Sequence, residues 1–176
     1  MLIGSKGSTR LTDALTLLYV KSEKQLRKLF VFIAYQSPNL RCLPGKQVNA
    51  EVASHRHLQS NQYVKGINQI YSKPFSDVFG VEYPRLQTEM DRIRKKVRNK
   101  ILHGQPTGLS LDDRGLEGEI ALVREWVTCA FVGFRSEIGF GGFERNTFRK
   151  AGDFSHRLVR KFASLVDFSN YLKALK

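Results

Sequence analysis

Residues Leu11 to Ile33 read LTDALTLLYVKSEKQLRKLFVFI, and this stretch decides the fold class. Its apolar residues recur at intervals near three and four, which places them on one face of a helix. They are Leu11, Leu15, Leu18, Leu26, Leu29, Phe30 and Ile33. Lys21, Lys24 and Lys28 fall on the polar side, and Pro38 stands just beyond the end. The stretch predicts one long amphipathic helix.

The helical repeat continues through the middle of the chain. After a connector at Pro38–Gly45, residues Gln47 to Tyr71 predict a second, more polar helix, which Lys73-Pro74 ends. A third helix is predicted from a buried stripe formed by Leu86, Met90, Ile93, Val97 and Ile101. Gly104 and Pro106 follow this stripe at once, and this pair is typical of a helix end.

Two more helices complete the predicted fold. The fourth is marked by Leu116, Ile120, Val123, Trp126, Val127 and Ala130, and the last spans roughly Phe154 to Leu175. The apolar side of the last helix is formed by Leu158, Phe162, Leu165, Val166 and Leu172. Runs of β-branched residues with a period of two, which would signal strands, are missing. We therefore predict an all-α fold, a bundle of about four to five helices.

The length of 176 residues suits one domain, or one domain with an appendage. We predict a helical domain over residues 1–138 and a basic C-terminal extension over residues 139–176, packed on the same domain. The start of this extension holds several glycines among aromatic and basic residues, so we expect it to be irregular.

The composition favours a polyanion as partner. Lys and Arg number 29 against 16 Asp and Glu, which gives a net charge of +13 and attracts phosphate backbones first and anionic membranes second. The apolar stretch Leu11–Val20 is interrupted by polar residues and is too short to cross a bilayer, so we predict no membrane partner and a cytoplasmic location. Cys42 and Cys129 lie far apart without zinc-site spacing, so we predict no structural metal.

The end of the third predicted helix carries the residues best suited to chemistry. Seven basic residues lie between Arg85 and Lys100. Asn99 and His103, four positions apart, share a helix face, and His103 falls in the last turn. The negative end of the helix dipole should raise the pKa of His103, and a neighbouring Arg98 should oppose that rise. A histidine near neutrality is suited to proton transfer.

The stretch Arg98-Asn99-Lys100-Ile101-Leu102-His103-Gly104 resembles the signature of the HEPN superfamily. In that signature an arginine precedes a histidine by four to six intervening residues, and a polar residue often follows the arginine directly. Four residues separate Arg98 from His103 here, and Asn99 fills the polar position. The resemblance covers residues 11 to 138 and does not extend into residues 139–176.

The resemblance implies an HEPN-like fold and a metal-independent endoribonuclease without cofactors. It implies that Arg98 binds the phosphate, that His103 transfers a proton, and that Asn99 orients one of them. Such domains usually pair, so that two copies of the motif line one cleft at a homodimer interface. The implied partners are RNA (tRNA, mRNA or phage RNA) and an antitoxin protein, in a toxin or phage-defence system.

Helix geometry bears on how such a site is assembled. On a straight helix, residues five apart point about 140° away from each other, so Arg98 and His103 leave on opposite flanks of the apolar stripe. Either the helix is distorted before His103, or a partner chain completes each site. We favour the composite site because it agrees with the implied dimer.

Further residues are candidates for contact with RNA. Around the motif these are Arg94, Lys95, Lys96 and Lys100, and in the extension they are Arg145, Arg149 and Lys150. The extension interleaves cations with phenylalanines, a mixture that stacks bases and holds phosphates. The phenylalanines could equally well anchor an irregular segment to the core.

Three histidines outside the motif are interpreted as ordinary surface residues. His55 and His57 flank Arg56 on the second predicted helix, and His156 precedes Arg157. Two further functions stay open for the whole chain. One is a non-catalytic helical module that binds RNA or DNA, and the other is an interaction partner of a nucleotidyltransferase-like protein.

Overall fold

The computed structural model describes residues 6–98, 113–143 and 154–175, with side chains described for residues 10–96, 114–143 and 154–175. Within these residues the regular structure is helical, apart from one isolated antiparallel bridge between Tyr71 and Leu158. The prediction of an all-α fold is confirmed.

The described residues form eight α-helices rather than the predicted four to five. The bounds are α1 (Lys6–Tyr35), α2 (Pro38–Arg41), α3 (Gly45–Ser54), α4 (Ser60–Ile70), α5 (Phe75–Phe79), α6 (Tyr83–Ile93), α7 (Asp113–Ile138) and α8 (Leu165–Ala174). A π-helical turn, Arg94–Arg98, follows α6 directly, and a 3-10 turn covers Ser155–Arg157. The number rises because one predicted helix is divided into α3 and α4, and because the short helices α2 and α5 lie between the predicted ones.

The long first helix is confirmed, and it ends ahead of Pro38 as predicted. Its polar side is exposed at Lys21 and Lys24. Toward its C-terminus, however, every side chain from Leu29 to Tyr35 is fully buried. A helix that is apolar all round has to be surrounded by other elements. The last two turns of α1 therefore form the centre of a core rather than one face of an amphipathic helix.

The prediction of a single helix over Gln47–Tyr71 is wrong, because α3 ends at Ser54 and α4 begins at Ser60. The new start is fixed by a capping box, in which the backbone N–H of Gln59 donates to the Gln62 side chain at 3.1 Å and the Gln59 side chain accepts in return. This exchange satisfies amide groups that the first turn of a helix leaves without partners.

The prediction of a helix from Phe154 is also wrong, because α8 begins only at Leu165. Ser164 caps it: the Ser164 hydroxyl accepts from the backbone N–H of Asp167 at 3.1 Å. Leu158 and Phe162 are buried as predicted, but they belong to a non-helical segment ahead of this cap.

The third and fourth predicted helices correspond to α6 and α7. Leu86, Met90 and Ile93 are buried along α6, as the stripe predicted. The side chains of Val97 and Ile101 and the predicted stop at Gly104 and Pro106 lie outside the described residues. The fourth helix is longer than predicted and buries Leu116, Val123, Trp126, Ala130 and Phe134.

The chain groups into two compact units, each built from two separate stretches of sequence. Unit 1 draws on Met1–Ser22 and Val81–Cys129, and unit 2 draws on Glu23–Gly80 and Ala130–Lys176. By this grouping, residues 154–175 belong to unit 2; the domain boundary predicted at residue 138 stays a prediction. Among the described residues, no helix combines the length and the apolar character needed to cross a bilayer.

Candidate functional site

The candidate site lies where α6 passes into the π-helical turn, within unit 1. Tyr83 and Pro84 open α6, and proline suits the first turn of a helix because no backbone donor is needed there. The buried stripe of α6 faces the core of unit 1, so its polar residues lie toward solvent or toward α7.

Arg92 of α6 pairs with two carboxylates, and one of them, Glu119, lies on α7. Its Nη1 and Nη2 donate to the two oxygens of Glu119 at 2.8 and 2.6 Å, and its Nε donates to Glu89 at 2.7 Å. The Glu119 side chain is only 11% exposed, so its charge depends on this guanidinium. The hydrogen bond to Glu119 is also the main reason that the pKa of Arg92 lies above its ordinary value. The last turn of α6 is thereby fixed against α7.

Two further polar contacts hold the same helix pair together. Arg85 pairs with Glu125 of α7 and, at 2.7 Å, with Glu82. The buried Trp126 donates from its indole N–H to the Gln87 side chain at 3.3 Å. These contacts lie one and two turns before Arg92, so α6 is anchored along its length up to the π-helical turn.

The turn Arg94–Arg98 is π-helical, so its hydrogen bonds span five residues instead of four. Each such turn takes in an extra residue and is frequently found at functional sites. Arg94 pairs with Asp91 at 3.2 Å. Lys95 and Lys96 are exposed, and no carboxylate among the described residues pairs with either. Lys95 and Lys96 therefore present positive charge that no described carboxylate neutralises.

The predicted site residues are covered by the structure only in part. Arg94, Lys95 and Lys96 lie together on the π-helical turn, and Arg98 closes it, although the Arg98 side chain is not described. The other predicted catalytic residues, Asn99 and His103, lie outside the described residues, as do Lys100, Arg145, Arg149 and Lys150. Their roles stay predictions.

The π-helical turn does not decide how the motif is assembled. It ends at Arg98, and the residues that set the direction of His103 relative to Arg98, Asn99 to His103, lie outside the described residues. A distorted helix before His103 and a composite site shared by two chains both stay predictions.

His55 and His57 have structural partners in unit 2, and they lie between α3 and α4 rather than on a helix as predicted. The Nε2 of His55 lies 3.1 Å from Glu51, and the Nε2 of His57 lies 3.2 Å from the backbone oxygen of Leu172. The pKa of Glu51 is lowered, first by a hydrogen bond from Ser169 and also by His55. Within the described part of the chain, no three His, Cys, Asp or Glu residues are grouped to hold a metal. His156 is exposed on the 3-10 turn.

Sequence reasoning missed the pairing of Arg92 with Glu119. One signal for it was present: Glu119 falls three residues after Leu116 and four before Val123, in the buried stripe of α7. A carboxylate at a buried position needs a cation, and Arg92 lies on the helix with the largest cluster of cations. The π-helical turn itself had no such signal, because its residues also continue a regular helical pattern.

Comparisons of the chain with protein-family models, with curated proteins and with solved structures find no match. The resemblance of the stretch Arg98–Gly104 to the HEPN signature rests on the residues of the motif.

Proposed function

We propose that this protein is a metal-independent endoribonuclease whose active site is built on the stretch Arg98–His103. The observation that carries the proposal is the π-helical turn Arg94–Arg98, which directly precedes the Asn99 and His103 positions of the motif. Such turns are rare and are frequently found at functional sites. A role as a toxin or phage-defence effector that acts on tRNA, mRNA or phage RNA is part of the same proposal.

The surroundings of the turn support a phosphate ligand. Arg92 uses the carboxylates of Glu89 and Glu119 for anchoring, so these acids do not neutralise the residues that follow. Lys95 and Lys96 are left exposed beside Arg98. An RNA phosphate that approaches this turn meets several positive charges on a backbone that unit 1 holds in place.

The proposed reaction needs no group beyond the RNA and the motif. The 2′-oxygen loses its proton to a base, attacks the neighbouring phosphorus, and displaces the 5′-oxygen, which takes up a proton. His103 transfers protons, and the Arg98 guanidinium stabilises the charge on the phosphorane with its paired N–H donors. Asn99 orients one of these two groups. The products are a 2′,3′-cyclic phosphate and a 5′-hydroxyl.

A cleavage assay tests the proposal. Wild-type protein is incubated with end-labelled RNA in EDTA, next to Arg98→Ala and His103→Ala. We expect each variant to lose about 10²–10⁴-fold in rate, the usual contribution of a proton-transfer group or of a charge-stabilising donor. The new 5′ ends should accept label from a polynucleotide kinase without prior phosphatase treatment, because they carry a free hydroxyl.

Two matched variants control for the loss of a charge or of an imidazole. Arg124→Ala removes an exposed arginine of α7, and His156→Ala removes an exposed histidine of the 3-10 turn. Both should cleave at the wild-type rate. An inert wild-type protein, or full activity in Arg98→Ala or His103→Ala, would refute the enzymatic proposal.

A second candidate function is a non-catalytic module that binds RNA or DNA. The exposed pair Lys95 and Lys96 favours it, because these residues attract phosphates whether or not cleavage follows. If the wild-type protein binds RNA and the RNA is recovered intact, the result supports this second function.

A further inference from the structure

A second basic surface lies in unit 2, on residues that the motif does not use. A non-helical segment, residues 158–163, joins the 3-10 turn to the cap of α8. Its side chains divide into two sets: Leu158 and Phe162 are buried, whereas Val159, Arg160 and Lys161 are exposed. We define the basic ridge as Lys73, Arg157, Arg160 and Lys161.

The backbone of this segment is fixed on both sides. At its start, the N–H of Val159 donates to the backbone oxygen of Ile70 at 2.9 Å, and the N–H of Ser72 donates to that of Arg157, also at 2.9 Å. At its end, the N–H of Phe162 donates to the buried Ser37 hydroxyl at 2.8 Å. A segment without helical hydrogen bonds is thereby held in one place, and its basic side chains are held outward.

Arg160 is held by aromatic rings rather than by a carboxylate. Its Cζ lies 4.5 Å from the ring centre of Tyr171 and 5.6 Å from that of Phe162. Burial raises the pKa of Tyr171 to about 12, so this ring stays neutral at physiological pH. No carboxylate among the described residues pairs with Arg160 or Lys161. A guanidinium stacked on rings keeps its N–H edge available for an anion.

The other two residues of the ridge, Lys73 and Arg157, keep a net positive charge. Glu137 accepts from Lys73 at 3.0 Å and from Arg157 at 2.8 Å, so one carboxylate faces two cations. The hydrogen bond from Lys73 is the main reason that the pKa of Glu137 is lowered, so Glu137 stays charged at neutral pH. The side chains of Lys73 and Arg157 remain 45% and 43% exposed, and so keep donors for a ligand.

We propose that the basic ridge binds the phosphate backbone of RNA, as a second contact surface in addition to the motif. The choice of RNA rests on the proposed function. The ridge itself favours a polyanion over a protein partner, because protein interfaces have an apolar centre that is depleted in charge and in lysine. Here Val159 is the one exposed large apolar side chain within the segment. Several exposed cations on a fixed backbone suit a string of phosphates, whatever the base sequence.

The test measures how RNA binding depends on salt. Fluorescent single-stranded RNA is titrated with protein in a His103→Ala background, which keeps the RNA intact, at several salt concentrations between about 50 and 200 mM. The double variant Arg160→Gln/Lys161→Gln removes two ridge charges without touching the Glu137 pairs. If each charge meets one phosphate, the slope of log K against log[salt] should fall by about 1.4, and affinity at 0.1 M salt by about tenfold or more.

The control double variant, Lys24→Gln/Lys46→Gln, removes two exposed charges from α1 and α3 and should change the slope far less. Arg160→Lys keeps the charge and should keep the slope, so a purely structural effect of the Arg160 position is separated from the electrostatic one. Circular dichroism checks each fold. If the double variant does not fold, the exposed Lys161→Gln alone should give half of the change in slope.

Equal slopes and affinities for the ridge and control variants would overturn the proposal. The proposal would also be overturned if the ridge variant lost affinity for polyglutamate but not for RNA. The ridge would then be a surface for an acidic protein. The proposed function fails separately: wild-type protein that binds RNA through the ridge but never cleaves it refutes the nuclease and leaves the ridge standing.

Discussion

Arg92 has a large local effect in unit 1, because it neutralises the buried carboxylate of Glu119. Replacing Arg92 by Ala leaves that charge without a partner, and we expect a loss of about 3–5 kcal/mol in the free energy of unfolding. Urea titration followed by the fluorescence of Trp126, the single tryptophan and a buried residue of the same unit, measures it.

The double variant Arg92→Ala/Glu119→Ala is the control for this pair. It removes the stranded charge together with its partner, so it should recover a large part of the lost stability. A cost below about 1 kcal/mol for Arg92→Ala alone would mean that Glu119 is solvated well enough to need no cation.

At this scale the sequence is most informative where chemistry is local. The spacing of Arg98 and His103 could be read directly, since both belong to one short stretch. The partners of Arg92 could not, because Glu119 lies 27 residues away, and only the fold brings the two together. The contacts of Arg160 with the rings of Phe162 and Tyr171 could not be predicted from the sequence for the same reason.

Among the elements, α7 gives the clearest test of packing through its glycines. A Cβ at Gly133 would overlap the backbone oxygen of Val78, whereas a Cβ at Gly118 would meet nothing within 4 Å. We expect Gly133→Ala to cost about 1–3 kcal/mol, because a backbone cannot give way as a side chain can. Gly118→Ala, in the same helix but exposed, should instead stabilise by about 0.5–1 kcal/mol.

Thermal unfolding followed by circular dichroism compares the two glycine variants. If both raise the Tm, then α5 does not approach α7 at Gly133 as closely as the structure has it. If both lower the Tm, the gain in helix propensity does not determine the effect of Gly118→Ala on stability.

The elements show why helices were easier to predict than their ends. The repeat of apolar residues predicted α1, α6 and α7 because each buries residues at helical spacing. The same repeat misled at Phe154, Leu158 and Phe162, which are four apart and buried, yet lie ahead of α8. Burial alone does not distinguish a helix face from an anchored extended segment. The Ser164 cap three residues before Asp167 was the signal that could have placed the start of α8.

For the whole molecule, the composite site can be tested by mixing two inactive proteins. If Arg98 of one chain works with His103 of its partner, then Arg98→Ala and His103→Ala should complement each other. A 1:1 mixture should regain about a quarter of wild-type activity, because half of the dimers are mixed and each has one intact site of two in a symmetric pair.

Light scattering at micromolar concentration accompanies the mixing experiment. A dimer without complementation would place both residues of each site on one chain. A monomer that cleaves RNA would remove the shared cleft altogether.

The division of each unit between two stretches of sequence has a consequence for how the chain matures on the ribosome. All residues of unit 1 have been synthesised once Cys129 is made, whereas unit 2 still lacks the segment that carries Phe162 and α8. The end of α1, with Phe30 and Phe32, is fully buried in the folded protein. During this interval it lacks the residues that cover it. Apolar surface of this kind attracts chaperones and promotes association between nascent chains. Translation speed over the codons for residues 130–175 should therefore influence the yield of folded protein more than it does over the codons for residues 23–80.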